Sequence, residues 1–403
     1  MRKTLLTTAA VAALAVASPA LAQSFSGDTV RIGVLTDLSG VYADFGGQGA
    51  VEAARMAVQD FGGKVQGKTI EVISADHQNK ADVAASKARE WYDTQGVDLI
   101  TESLNSSVAL AVSKVATEKK RMQIVTGAAT SRLSNEDCGP YTVHYVYDTF
   151  ALAQGTGAAV VKAGGDSWFF LTADYAFGHS LEKDTGDVVR NAGGKVLGAV
   201  RHPLSATDFS SFLLQAQSSG AKVVGLANAG QDTVNSIKAA YDFGLTKKQQ
   251  LAGLLTLVTD VHGLGIEQAA GLYTTEAWYW DQTEETRAFG KRFFDKMKKY
   301  PNSNQAGVYS AVTNYLKAVD AAKTDDSDAV SKQLKSMTIN DMFVKNGKIR
   351  EDGLHVHDMF LFQVKQKAES KYPWDYYRQV AQIPGSEAFQ PIEKTRCPLV
   401  KKS

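Results

Sequence analysis

The sequence predicts an α/β chain with parallel central sheets, arranged as two lobes. Three observations carry this. Short apolar runs alternate with segments of helical periodicity from Val30 to Leu255, the pattern of βα units that feed a parallel sheet. The alternation comes as two tandem series, one reaching Ser131 and a second starting near Thr142, alike in pattern without being a sequence repeat. No low-complexity linker divides the chain, so short crossovers must join the lobes and the late helices must return to the first.

Taken in order, Val30–Leu35 is the first strand, followed by a Gly-rich loop, Thr36–Gly47, that carries Asp37, Ser39, Tyr42 and Phe45. Val51, Ala54, Val58 and Phe61 mark the apolar face of a helix. Lys68–Ala75 is the second strand, and a helix spans about Ala81–Gln95. The stretch from Leu99 to Ser131 then reads as strand, polar turn, helix, strand, turn. Glu102–Ser107 is rich in helix-capping residues, and Val108, Ala111, Val112, Val115 and Ala116 follow at helical spacing. The strand Met122–Thr126 ends in Gly127-Ala128-Ala129-Thr130-Ser131. Two hydroxyl-rich turns therefore leave neighbouring strands at one end, where open α/β sheets bind ligands. The turn Asn105–Ser107 opens a helix whose N–H groups suit a carboxylate.

The second series places a helix at Ala151–Lys162, a strand at Trp168–Leu171 and the loop Thr172–Gly178. Further strands fall at Lys195–Arg201, Lys222–Ala227 and Gln250–Leu255. After Trp278-Tyr279-Trp280 come helices near Glu284–Lys299, Asn304–Lys323 and Ser327–Ser336. A tail of short strands in antiparallel style closes the chain. Tyr42, Phe45, Tyr175, Phe177, Trp278 and Trp280 all fall at or near strand C-terminal ends, as a set of loop aromatics facing one cleft would.

The 403 residues carry a formal charge of +1 with no basic stripe, so neither nucleic acid nor an anionic membrane surface is an expected partner. Arg2 and Lys3, the apolar run Leu5–Ala17 and the Ala20-Leu21-Ala22 pattern read as a signal peptide over residues 1–22, cleaved after Ala22, and hence as export. The only cysteines, Cys138 and Cys397, are expected to pair in an oxidising compartment.

Other motifs carry less. Gly62–Thr69 fits a P-loop letter for letter, but a helix precedes it and a strand follows, the reverse of the order that cradles phosphate. His355-Val356-His357 reads as a solvated strand face, and no metal or other cofactor is expected. No Gly-x-Ser-x-Gly elbow is present, and the remaining histidines are scattered, so nothing points to an enzyme.

The order of Ile32-Gly33-Val34-Leu35, Leu38-Ser39-Gly40, Phe45-Gly46, Gly67-Lys68, Asn105-Ser106-Ser107, Gly127–Thr130 and Tyr175–Gly178 resembles the Leu/Ile/Val-binding family of periplasmic solute-binding proteins, which serve ABC importers. The resemblance implies a type I periplasmic-binding-protein fold: two Rossmann-like lobes, a ligand cleft between them, and crossovers near Tyr147, Thr274 and Phe343. It implies lobe 1 at 28–147 and 275–342, lobe 2 at 148–274 and 343–392, and a tail at 393–403. It also implies a monomer partnered by the importer's membrane subunits.

In that family the first lobe holds the ligand carboxylate; the matching positions are Asn105, Ser106, Ser107, Ala128 and Thr130. Two matches depart from the amino-acid-binding pattern. Leu255 stands where an acidic residue receives the ligand's ammonium group, and Ala229 replaces an aromatic. A buried ammonium without an anion costs several kcal/mol. The expected ligand is thus a carboxylate lacking the amino group, an aromatic or phenylpropanoid-type acid, held by Tyr42, Phe45, Tyr175, Phe177 and Trp278. Branched-chain or other amino acids are the alternative ligands, and a sensor lobe or secreted enzyme the alternative classes.

Overall fold

A computed structural model describes residues 25–401; the signal-peptide reading lies outside the described residues. The strands are β1 Thr29–Thr36, β2 Lys64–Val65, β3 Lys68–Asp76, β4 Val97–Glu102, β5 Met122–Val125 and β6 Thr142–His144 in the first sheet, ordered β2-β3-β1-β4-β5-β6. All neighbours run parallel except β2, which turns back on β3 as a hairpin. Every residue of β4 is buried, as expected of an inner strand covered on both faces. Helices Ala81–Thr94 and Ser106–Lys119 cover one face, with Trp91, Ile100 and Val112 in a shared apolar cluster.

The second sheet is wholly parallel, ordered β10-β9-β7-β8, with β7 Ser167–Ala173, β8 Lys195–His202, β9 Val223–Ala227 and β10 Gln250–Gly253. β11 Tyr273–Glu276 leaves this lobe and pairs antiparallel with β14 Met359–Val364, which pairs in turn with β15 Tyr377–Ile383. From β11 the chain returns: helices Glu284–Met297 and Ser303–Ala322 pack on the first helix, Gly47–Asp60. The hairpin of β12 Lys348–Ile349 and β13 His355–Val356 lies at the outer edge of β6, where His144 N donates to Gly353 O at 2.9 Å. Among the described residues no helix is long and apolar enough to cross a membrane.

Two local expectations are corrected. The helix expected at Ala151–Lys162 starts at Thr149, because Asp148 Oδ1 accepts Ala151 N at 2.8 Å, and its middle, Ala153–Gly157, widens into a π turn. That turn presses Gly155 onto β11, where a Cβ would lie 2.1 Å from Thr275 Oγ1. His355 and His357 are not solvated; they are 0 and 3 % exposed, with rings 4.7 Å apart. Tyr145 lies against His355, while Phe343 and Phe389 flank His357. Burial lowers the pKa of both rings, which suits neutral imidazoles. The Gly62–Thr69 segment is the turn into the β2–β3 hairpin, with Gly62, Gly63 and Gly67 at φ of +94°, +72° and +79°.

The expected Cys138–Cys397 disulfide is present, with Cα atoms 5.6 Å apart. It pins the tail beside the loop after β5, where Thr395 Oγ1 donates to Ser134 O at 3.0 Å and Arg396 N to Asn135 Oδ1 at 3.0 Å. Thiol titration of the denatured, unreduced protein should therefore find no free thiol. Replacing both cysteines by serine should lower the unfolding free energy by about 2–4 kcal/mol in urea titrations.

Candidate functional site

The C-terminal ends of β1, β4 and β5 face those of β7, β9 and β10. Between them lies a narrow gap of about 10 Å³. Tyr42, Phe45, Leu104, Ser106, Gly127 and Ala129 line it from the first lobe, and Tyr175, Phe177, Ala229 and Leu255 from the second. Among the described residues no charged side chain lines it. The lobes touch around it. Tyr42 Oη and Tyr175 Oη are 2.5 Å apart, Gln231 N donates to Val41 O at 3.0 Å, and Thr130 Oγ1 is 2.7 Å from Ser180 Oγ. Burial pushes both tyrosine hydroxyls to higher pKa, so each is a neutral phenol able to donate.

Of the residues expected at the site, Tyr42, Phe45, Ser106, Tyr175, Phe177, Ala229 and Leu255 share this space. Asn105 lies behind it: its Oδ1 accepts Ser107 N at 2.9 Å and Val108 N at 3.2 Å, capping the helix Ser106–Lys119. The N–H groups offered by that helix at Ser107 and Val108 are thus already satisfied by the cap. Ser106 Oγ accepts Thr130 N at 3.2 Å, which ties the two turns and leaves the Ser106 hydroxyl proton to donate. Ala128 faces away, packed with Leu110, Val125 and Leu133, and its carbonyl meets His144 Nε2 at 2.8 Å. Ala129 takes the lining position instead.

Trp278 is not in the space. Its ring meets Phe289 edge-on, its Nε1 donates to Met342 O at 3.2 Å, and it borders a separate surface groove with Gln282 and Phe360. Trp278 falls two residues past Glu276, the end of β11, beyond the strand end that would have aimed it inward. Trp280 stacks on Tyr300 with centroids 3.7 Å apart.

Sequence reasoning missed Leu104, Gly127 and Ala129. The signal for Leu104 was the run Glu102-Ser103, which adopts left-handed backbone at φ +79° and +50° and so turns Leu104 into the gap. It also missed Glu102 as part of the site's support. This buried carboxyl accepts Leu104 N at 2.9 Å and Asn304 Nδ2 at 3.0 Å, and burial raises it to about 8.

The model of a family described as Periplasmic binding protein matches residues 29–369. The chain belongs to this family. Periplasmic binding proteins similar to it include one from Burkholderia mallei whose crystal structure superposes with a TM-score of 0.92 at 61 % identity, over 93 % of this chain and 100 % of that one. A branched-chain amino acid ABC transporter periplasmic ligand-binding protein from Burkholderia xenovorans gives 0.82 at 38 % identity, over 92 % and 99 %. A Leu/Ile/Val-binding protein homolog 6 from Brucella melitensis is 31 % identical over 272 residues, 66 % of this chain and 68 % of that protein. A solute-binding protein of an ABC transporter from Rhodopseudomonas palustris, solved with 4-hydroxybenzoate, shares the fold at a TM-score of 0.80 and 22 % identity, over 88 % and 97 %.

The cap at Asn105 separates a structural from a ligand role at that position of the periplasmic binding protein. Asn105→Ala should cost about 0.5–2 kcal/mol of unfolding free energy in urea titrations, and Asn105→Ser, which can still cap, should restore most of it.

Proposed function

We propose that this protein is the substrate-binding component of an ABC importer and captures an aromatic carboxylate between its lobes. The observation that supports it best is the lining: aromatic and aliphatic side chains with a few neutral hydroxyls, and no carboxylate to receive an ammonium group. An α-amino acid in that space would bury its cation unpaired, a cost of several kcal/mol against the roughly 8 kcal/mol of micromolar binding. A carboxylate can instead be met by the Ser106 hydroxyl and by Thr130, which trades its bond to Ser180 for one to the ligand. Hydrogen bonds to an ionised group contribute about 1.5–3 kcal/mol each. The gap is about 10 Å³, smaller than any ring, so the lobes must part to admit a ligand before they close on it. Occupancy of this fold by 4-hydroxybenzoate in the Rhodopseudomonas protein names the first probe to try.

The competing reading, a branched-chain amino acid, draws on the names of the Brucella and Burkholderia xenovorans relatives. Asp232 Oδ2 accepts Ser205 N at 3.0 Å while Oδ1 is buried without a partner, which makes it one source of an anion for that reading, though it does not line the space.

Thermal shift with benzoate, 4-hydroxybenzoate and leucine separates the two. Aromatic acid at a hundredfold over its Kd should add about 2.7 kcal/mol of stability, and leucine should add none. Leucine binding without the aromatic acids would overturn the ligand class. Capture by lobe closure makes a second prediction. Tyr42→Phe and Tyr175→Phe should each weaken the bound acid by about 0.5–1.5 kcal/mol in calorimetry, and the double variant should cost no more than either single change, because the two hydroxyls share one bond.

A further inference from the structure

Glu102 is the point where the two turns of the first lobe and the returning helix meet. Its backbone carbonyl accepts Thr126 N at 3.3 Å and Gly127 N at 3.4 Å, from the turn after β5. Its side chain accepts Leu104 N, from the turn after β4, and Asn304 Nδ2, from the helix Ser303–Ala322. The Thr36 hydroxyl, at the end of β1, donates to it as well. The fit is close: a Cβ on Gly46 would lie 2.5 Å from Oε1, and one on Gly127 would lie 2.7 Å from it. Only a residue without a side chain lets the carboxyl sit directly behind the lining.

The charged and titratable neighbours of this carboxyl are few. Asp37 follows β1, and Tyr147 of the first crossover donates its hydroxyl to Gly127 O at 3.1 Å. Asn304 is the polar group that the returning helix presents, and the first helix approaches with its Gly46–Gly47 backbone. Among the described residues, the strongest influences on it are burial, three hydrogen-bond donors and Asp37, none of them a cation. An anion bound in front of Gly127 would therefore face a second anion across one layer of backbone, in an interior where water screens little.

We infer that Glu102 is a positioning residue that fixes both ligand turns, and that it takes up a proton from solvent when an anionic ligand fills the space in front of it. This rests on the carboxylate reading given above. Burial holds the free carboxyl at about 8, so the coupling is read between roughly pH 7 and 9. The sign follows from linkage. A bound anion raises the carboxyl's pKa further, so binding takes up protons and the affinity falls as pH rises through the free-protein value.

The test uses benzoate, whose own carboxyl titrates far below this range, in calorimetry at pH 7, 8 and 9 in phosphate and in Tris. The native protein should take up a measurable fraction of a proton per benzoate at pH 8, and its Kd should rise severalfold, at most about tenfold per pH unit, between pH 8 and 9. Glu102→Gln should bind benzoate more weakly at pH 7, because its amide has one oxygen where the carboxyl accepts Leu104 N and Asn304 Nδ2 on two, and it should show no proton uptake and a flat pH profile. Benzoate binding to the native protein without proton uptake would overturn the inference. So would uptake retained in Glu102→Gln, which would move the proton to another group such as Glu276, also held near 8 by burial. Should Glu102→Gln not fold, carbon-13 titration of the native glutamate carboxyls decides: the Glu102 resonance should titrate higher with benzoate than without, and an unmoved midpoint overturns the inference. If benzoate does not bind and leucine does, the aromatic reading falls alone, and the same proton count made with leucine decides the role of Glu102.

Discussion

Parallel pairing places the C-terminal ends of β1, β4 and β5 on one edge of the first sheet and those of β7, β9 and β10 on one edge of the second. The site depends on this constraint. Each strand end must give way to a loop before its helix can begin, so six loops converge on one gap. The helices, which need apolar faces against the sheets, carry the stability elsewhere. The loops are then free to present what a ligand needs. Here that is mostly aromatic surface, with polarity supplied by hydroxyls rather than ions.

Leaving ions out of the lining has an energetic consequence. A fixed cation in so small a space would carry a large desolvation cost in the empty protein. Neutral hydroxyls do not, because they can satisfy one another while the gap is unfilled. Tyr42 pairs with Tyr175, Thr130 with Ser180, and Ser106 with the backbone of Thr130. A ligand must compete with the bond between Thr130 and Ser180, so part of its binding energy goes to exchange rather than gain, and selectivity rests on how well the ring fills the apolar remainder.

Much of this was legible before any coordinates. The tandem alternation, the two hydroxyl-rich turns and the cysteine pair all follow from local chemistry, and local chemistry is what a sequence displays. The failures share a cause. Ala128 and Ala129 are indistinguishable as residues, and in an extended turn a shift of one position reverses the side presented. Trp278 looked like a cleft aromatic because it follows a strand, but β11 belongs to an antiparallel sheet whose ends do not open on the gap. His355 and His357 alternate like a solvated edge, yet the tail at Phe389 and the crossover at Tyr145 cover them. In each case the deciding neighbour lies far along the chain.

The tryptophans outside the ligand space show what the crossovers require. Trp280 stacks on Tyr300, and Trp374 stacks on His262 with centroids 3.9 Å apart. Tyr279 Oη and Trp280 Nε1 both donate to Trp374 O, at 2.7 and 3.2 Å. This cluster joins the returning segment, the loop after Met297, the turn before β15 and the helix Val258–Leu264 of the second lobe. Segments that pass between lobes cannot be covered by helices on both sides, because the cleft must stay accessible. Large flat rings bury such segments with little loss of side-chain entropy, since each has only two rotatable bonds. Aromatic residues therefore serve two purposes in this chain. Those on loops at parallel strand ends line the gap, and those just past an antiparallel strand brace the connection between the lobes.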